Sequence, residues 1–263
     1  MKIKFIAYLL ILFTFLSTTS VYAESLEVKI TKKFDSKNLT KVKLKNDNGS
    51  LFIKGTNDSI VRVNAFKYLE AENKRDAEAA MEDLKVHFEE KDGVLEIWVE
   101  KPKTFSWSIL NYLFGGIKNS GVYFEVYLPE NLAIEARTVN GKMDLRKVAG
   151  NVECSVVNGD IRAYGVEHNA NFKSVNGTIK IIIDQNHGTE INAKTVNGKI
   201  YIDVNPEVSF DFNAATVNGA IKTDYNVNLL KKGILKDLSV KNLDGKLKIN
   251  VKTVNGKVVL SQL

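Results

Sequence analysis

Residues able to do chemistry are few and scattered in this chain. It holds one cysteine, Cys154, and three histidines, His87, His168 and His187. A single cysteine excludes an intramolecular disulfide framework and every multi-cysteine zinc or iron–sulfur site. The three histidines sit at unrelated positions and make no ligand set. Cys154 lies between Glu153 and Ser155 with no histidine near it in sequence, and so reads as a small buried hydrophobe rather than an activated thiol. G-x-S-x-G, H-E-x-x-H, Walker A and dinucleotide-binding patterns are absent. No catalytic residue, metal site or cofactor is expected.

What recurs instead is a tripeptide. Val-Asn-Gly occurs with its Asn-Gly at Asn140-Gly141, Asn158-Gly159, Asn176-Gly177, Asn197-Gly198, Asn218-Gly219 and Asn255-Gly256, and Leu243-Asp244-Gly245 reads as a degenerate seventh copy. Successive glycines are 18, 18, 21, 21, 26 and 11 residues apart. Asn-Gly is a strong short turn signal, because both residues tolerate positive φ. Apolar residues alternate on both sides of each copy, as in Val152 and Cys154 before Asn158 and Ile161 after it. Period two around a turn means strand, turn, strand.

Two architectures fit this pattern. In a two-residue hairpin the repeat valine would be exposed in every copy. In a β-solenoid a corner before Asn-Gly would turn it inward, and burial explains a recurrent apolar residue better. The expected fold is therefore all-β: an irregular, parallel β-helix-like solenoid over 131–263, continuous with a β-rich part over 24–130. The stretches Asn151–Ile161 and Asn171–Ile179 resemble the repeats of the bacterial putative-adhesin domain family, whose function is unknown. Gly49–Gly55 is similar to that family's opening strand, and Tyr127-Leu128-Pro129 to the step before its repeats. The resemblance spans about Leu26 to Leu260. It implies adhesion by name alone and brings no catalytic residues.

Upstream of the repeats, Leu26–Thr31, Lys41–Lys45, Ser50–Lys54 and Ile60–Phe66 alternate as strands, and Val86–Glu90 with Val94–Val99 reads as a hairpin. Glu70–Lys85 is one short amphipathic helix, with Ala77, Ala80, Met81 and Leu84 on its apolar face. That stripe is expected to cover an open end of the sheet. Residues 104–120 differ from their surroundings, with Phe105, Trp107, Tyr112 and Phe114 crowded together and Lys118 as the sole charge. They either fold onto the core or form an exposed contact loop for a membrane interface or protein partner.

The first 23 residues have the form of a secretory signal peptide: Lys2 and Lys4, an apolar run from Phe5 to Leu16, then Val21-Tyr22-Ala23. A run of 12 residues, interrupted by Thr14, falls short of the roughly 20 that span a bilayer. No later stretch could cross a membrane. Removing Lys2 and Lys4 lowers the formal net charge from +6 to +4, well below a nucleic-acid-binding signature. The expected location is exported: periplasm, cell surface or secreted.

A polysaccharide-cleaving β-helix would need clustered carboxylates. Four residues after the repeat Asn stand Asp144, Arg162, Lys180, Tyr201, Lys222, Lys248 and Val259, with a single acid among them. Stacking would place Lys142, Lys199, Lys246 and Lys257 on one edge and Lys173, Lys194, Lys241 and Lys252 on another. Such lysines keep a long sheet soluble, or form a weak, salt-sensitive site for envelope polysaccharide or anionic lipid. The function read from the sequence is a non-catalytic cell-envelope binding module, adhesion-like or scaffold, meeting polysaccharide, anionic lipid or an envelope protein. The competing readings are a polysaccharide-active enzyme with an unrecognised site and an accessory or sensor protein of an envelope-stress system.

Overall fold

The computed structural model describes residues 24–263 except 73, 101–115, 186, 226–229 and 233–234. The described residues are mainly strand, with one short helix, and form a large mixed sheet that is not closed on itself. Alternation dictates this. Along β10 (Val152–Asn158), Val152, Cys154 and Val156 are buried while Glu153 and Val157 are exposed, and β8 (Ala133–Asn140), β12 (Ala170–Asn176) and β14 (Glu190–Asn197) follow the same pattern.

Strands flanking one Asn-Gly do not pair with each other. β10 pairs in parallel with β8 on one side and β12 on the other, so Asn140, Asn158 and Asn176 stand opposite one another. Beyond the corner, β11 (Ile161–Val166) pairs in the same way with β9 (Met143–Val148) and β13 (Ile179–Ile183). A hairpin at Asn-Gly is thereby excluded. Two ladders result, joined rung by rung at the Asn-Gly corners. The first continues through β14 and the second through β15 (Ile200–Val204), and both are extended by β19 (Leu247–Gln262) and β16 (Phe210–Thr223), which run unbroken through their corners.

The stack begins earlier than the repeat count suggests. β2 (Lys41–Lys45) and β3 (Leu51–Thr56) pair in parallel with β8 and β9, which makes Asn48-Gly49 a rung of its own. On its other side lie β6 (Val94–Glu100) and β7 (Ile117–Pro129). Antiparallel strands finish both ends: β5 (Lys85–Lys91) on β6, β4 (Ile60–Ala71) on β7, β1 (Glu24–Asp35) on β4, and β18 (Leu235–Asn242) on β16. The main buried core is one cluster running from Leu39 to Leu260 and draws on the inward side chains of both ladders.

Several expectations are corrected. The repeat valines point outward: Val139, Val157, Val175, Val196 and Val254 are 36–42% exposed. The inward slot belongs to the residue before each valine, namely Thr138, Val156, Ser174, Thr195, Thr253 and Thr216, all buried. The corner comes one residue later than burial of the valine required. Leu243-Asp244-Gly245 is no rung but the tight connection between β18 and β19, with Leu243 and Gly245 at φ 55° and 71° and Leu243 exposed. The helix α1 spans Lys74–Asp83, shorter than Glu70–Lys85, because Glu70 and Ala71 complete β4 and Lys85 opens β5. Three of its stripe residues, Ala77, Ala80 and Met81, are buried against Leu69 and Ala71, whereas Leu84 lies past the helix end and packs half-buried on the main core. The segment 104–120 is also cut short, since Ile117–Ser120 belong to β7 and pair with β4.

The reason for glycine at the corners is crowding. A Cβ on Gly177 would lie 2.0 Å from the carbonyl oxygen of Gly159, and one on Gly198 1.9 Å from that of Gly177. Rungs meet so closely here that backbone occupies the side-chain position, whether or not φ is positive.

Candidate binding surface

Among the described residues no group of three or more His, Cys, Asp or Glu could hold a metal ion. Cys154 is fully buried in the inner column between Ala136 and Phe172, and burial pushes its thiol far above the usual range. His168 and His187 are exposed on loops. His87 stacks on Trp98 with centroids 5.1 Å apart, 2.7 Å from Glu100. Trp98 walls an open recess of about 470 Å³ with Lys45, Glu89 and Glu96. Phe105, Trp107, Tyr112 and Phe114 lie outside the described residues.

The Asn-Gly corners build a continuous amide ladder. Asn140 donates to Asn48 at 2.8 Å, Asn158 to Asn140, Asn176 to Asn158, Asn197 to Asn176 and Asn255 to Asn197 at 2.8–3.0 Å. Beneath it, Thr138, Ser174, Thr195, Thr253 and Thr216 donate their hydroxyls to the carbonyls of Gly49, Gly159, Gly177, Gly198 and Gly256 at 3.2–3.3 Å. Each buried hydroxyl therefore has an acceptor, which removes the cost of placing it in the core. The Ser/Thr before Val-Asn-Gly was a signal present in the sequence and tied to no role there.

Stacking turns sequence positions into columns on the two outer faces. On the first ladder's outer face, Lys45, Arg137, Ser155, Lys173, Lys194 and Lys252 stand in one register line. The exposed valines form the next column toward the corner. Arg137 pairs with Glu135 at 3.1 Å and Lys45 with Glu96 at 2.6 Å, whereas Lys194 and Lys252 have no carboxylate partner among the described residues. The sequence grouping of lysines is only partly met. Lys241 lies opposite Asp211 in another column, and Lys246 sits in the connection before β19. Lys142, Lys199 and Lys257 do share the position just after the corner glycine.

The second ladder's outer face differs. It carries Phe52, Phe66, Tyr123, Tyr127, Tyr164 and Tyr201, all half-buried. Phe66 and Tyr123 lie 5.6 Å apart, and Lys29 Nζ sits 5.1 Å from the Phe66 centroid. Thr31 donates to Asn64, and Asn64 and the Tyr123 hydroxyl both donate to Glu125. Burial, with the Glu125 carboxylate beside it, pushes the Tyr123 phenol up to about 12. Composition gave no hint of this face, because its aromatic residues are far apart in the chain.

No protein family and no curated protein matches the sequence. Solved structures do resemble it. A putative cell adhesion protein from Clostridium sporogenes matches over 90% of this chain and all of its own, at 14% identity and a TM-score of 0.52. A putative adhesin from Bacteroides fragilis matches over 90% of this chain and 97% of its own, at 13% identity and a TM-score of 0.40. At these identities the first likeness is one of fold alone.

Proposed function

We propose that this chain is an exported, non-catalytic binding module of the cell envelope, adhesion-like in role and built as an irregular β-solenoid with two strands per turn. Residues 1–23 act as the cleaved signal, and 24–130 and 131–263 stack as one body. The parallel pairing of each strand with its counterpart one rung away supports the solenoid. The Clostridium sporogenes structure, named for cell adhesion, shares the fold.

The observation that carries the reading is the cation column of the first outer face. Five cations in one straight line, two of them without a carboxylate partner among the described residues, flank a column of exposed valines. Each exposed contact is worth a fraction of a kcal/mol. A repetitive anionic ligand engages several together, so binding becomes additive and sensitive to salt. The ligand is an anionic envelope polymer or surface, either acidic polysaccharide or anionic lipid headgroups.

The test is retention of the mature chain on alginate beads and on phosphatidylglycerol vesicles, against neutral dextran and phosphatidylcholine, at low and raised salt. Retention on an anionic matrix that salt reverses is expected, and Lys173→Gln/Lys194→Gln/Lys252→Gln should elute at lower salt. Alginate and vesicles distinguish the two sources. No retention on either anionic matrix would overturn the reading.

A further inference from the structure

On the second outer face a line of five side chains crosses five neighbouring strands: Arg62 of β4, Tyr127 of β7, Lys54 of β3, Arg146 of β9 and Tyr164 of β11. Arg62 faces Tyr127, Tyr127 faces Lys54, Lys54 faces Arg146 and Arg146 faces Tyr164, each as direct register partners. Cations and rings are interspersed along the line, and none of the five positions is a carboxylate. At the usual spacing between strands it is about 19 Å long.

Its middle is fixed in place. Asp144 accepts from Arg146 Nε at 2.7 Å and from Nη2 at 3.3 Å. The guanidinium thereby stands 5.4 Å from the Phe52 centroid and 5.7 Å from that of Tyr164. Phe52 in turn meets Tyr127 at 6.0 Å, at an interplanar angle of 63°. Lys54 and Arg62 have no carboxylate within ion-pair distance among the described residues. Arg146, Tyr127 and Tyr164 are thus held by neighbours before any ligand arrives, which lowers the entropy cost of binding at the middle of the line.

We infer that this line is a side-on binding site for a stretch of acidic glycan, a chain of uronate-type sugars. The half-buried rings offer π surface to the C–H faces of pyranose rings, and the interspersed cations meet carboxylates. Repeat length agrees as well, since successive strands are spaced close to the rise of one sugar in an extended β-linked chain. A bilayer suits this face poorly. Among the described residues the large exposed apolar side chains are Val28, five of the repeat valines, Leu243 and Leu263, and none of these stands on it. The inference rests on the binding-module reading but not on the cation column of the opposite face.

The test is calorimetric titration of the mature chain with a polyuronate hexasaccharide, a neutral cello-oligosaccharide and inorganic polyphosphate of matched charge. The hexasaccharide should bind, the neutral sugar should not, and polyphosphate should bind more weakly. Tyr127→Leu and Tyr164→Leu, which keep apolar bulk, should each weaken hexasaccharide binding by about tenfold and leave polyphosphate unchanged. Arg146→Gln should weaken it too, and every titration is made in the Lys173→Gln/Lys194→Gln/Lys252→Gln background so that the cation column of the other face does not contribute. Circular dichroism checks that each variant is folded. Hexasaccharide binding that ignores both tyrosine changes, or polyphosphate binding as tightly, would overturn the site while leaving the binding-module reading intact. Capture by phosphatidylglycerol vesicles that depends on Tyr127 would overturn it in favour of a membrane.

Discussion

Asn218 donates its side-chain amide to Asn255 at 3.0 Å, and Asn255 donates to Asn197 at 2.8 Å. The last two rungs are therefore stacked in the reverse of their order in the chain. β19 lies between β14–β15 on one side and β16 on the other, so the final strand is an interior one.

Deleting 247–263 should consequently unfold more than one rung. The loss removes buried Leu247, Ile249, Val251, Val258 and Leu260, each worth about 1.5–3 kcal/mol. That sum is comparable to the whole stability of a typical domain. Urea denaturation should show no cooperative transition in the truncated chain. A cooperative transition at a slightly lower midpoint would mean that β16 restacks directly on β14 and β15.

Gly177→Ala should destabilise by about 1–3 kcal/mol or more, because its methyl meets the Gly159 carbonyl at 2.0 Å with no flexible side chain to yield. Gly93→Asn should cost less than about 1 kcal/mol. Gly93 has φ 76°, which Asn tolerates, and its nearest neighbour to an added Cβ is 3.2 Å away. Chemical denaturation of the two variants separates crowding from backbone conformation as the reason for glycine.

Val156 is the apolar member of the buried hydroxyl column, so Gly141 lacks the side-chain donor that Gly159, Gly177 and Gly198 receive. Val156→Thr should be neutral or stabilise by up to about 1 kcal/mol, whereas Thr195→Val should cost about 0.5–1.5 kcal/mol. Thermal unfolding of both checks this. A loss on Val156→Thr as large as that on Thr195→Val would show that shape, not the hydrogen bond, selects these residues.

Much of the local structure was legible because strand alternation is a local property. β2 lies at Lys41–Lys45 as read, the hairpin turns at Asp92-Gly93 with φ 51° and 76°, and α1 buries Ala77, Ala80 and Met81 of the stripe read from its spacing. Rung order was not legible. All copies carry the same Val-Asn-Gly, so each edge is complementary to any other, and nothing in the motif says that 255 precedes 218 in the stack. Asn48-Gly49 escapes the repeat count because the residue before it is Asp47 rather than valine. The line from Arg62 to Tyr164 was hidden for a different reason, since its members come from five strands and become neighbours only through pairing.

Cys154 gives the stack an internal reporter. Its thiol is fully buried, and burial raises its pKa while the Ala136 backbone contact opposes this weakly. The folded state thus holds the proton at pH values where the unfolded thiol, with its ordinary pKa near about 8.5, releases it. The folded state binds more protons than the unfolded state over that range, so the Cys154 contribution to stability should be flat below about pH 8 and fall as pH rises above about 8.5. Alkylation tests the same burial more directly. In native buffer at pH 8 the thiol should resist iodoacetamide, and labelling should track global unfolding across a urea series. Rapid labelling without denaturant would place Cys154 outside the inner column and break the register of β10 with β8 and β12.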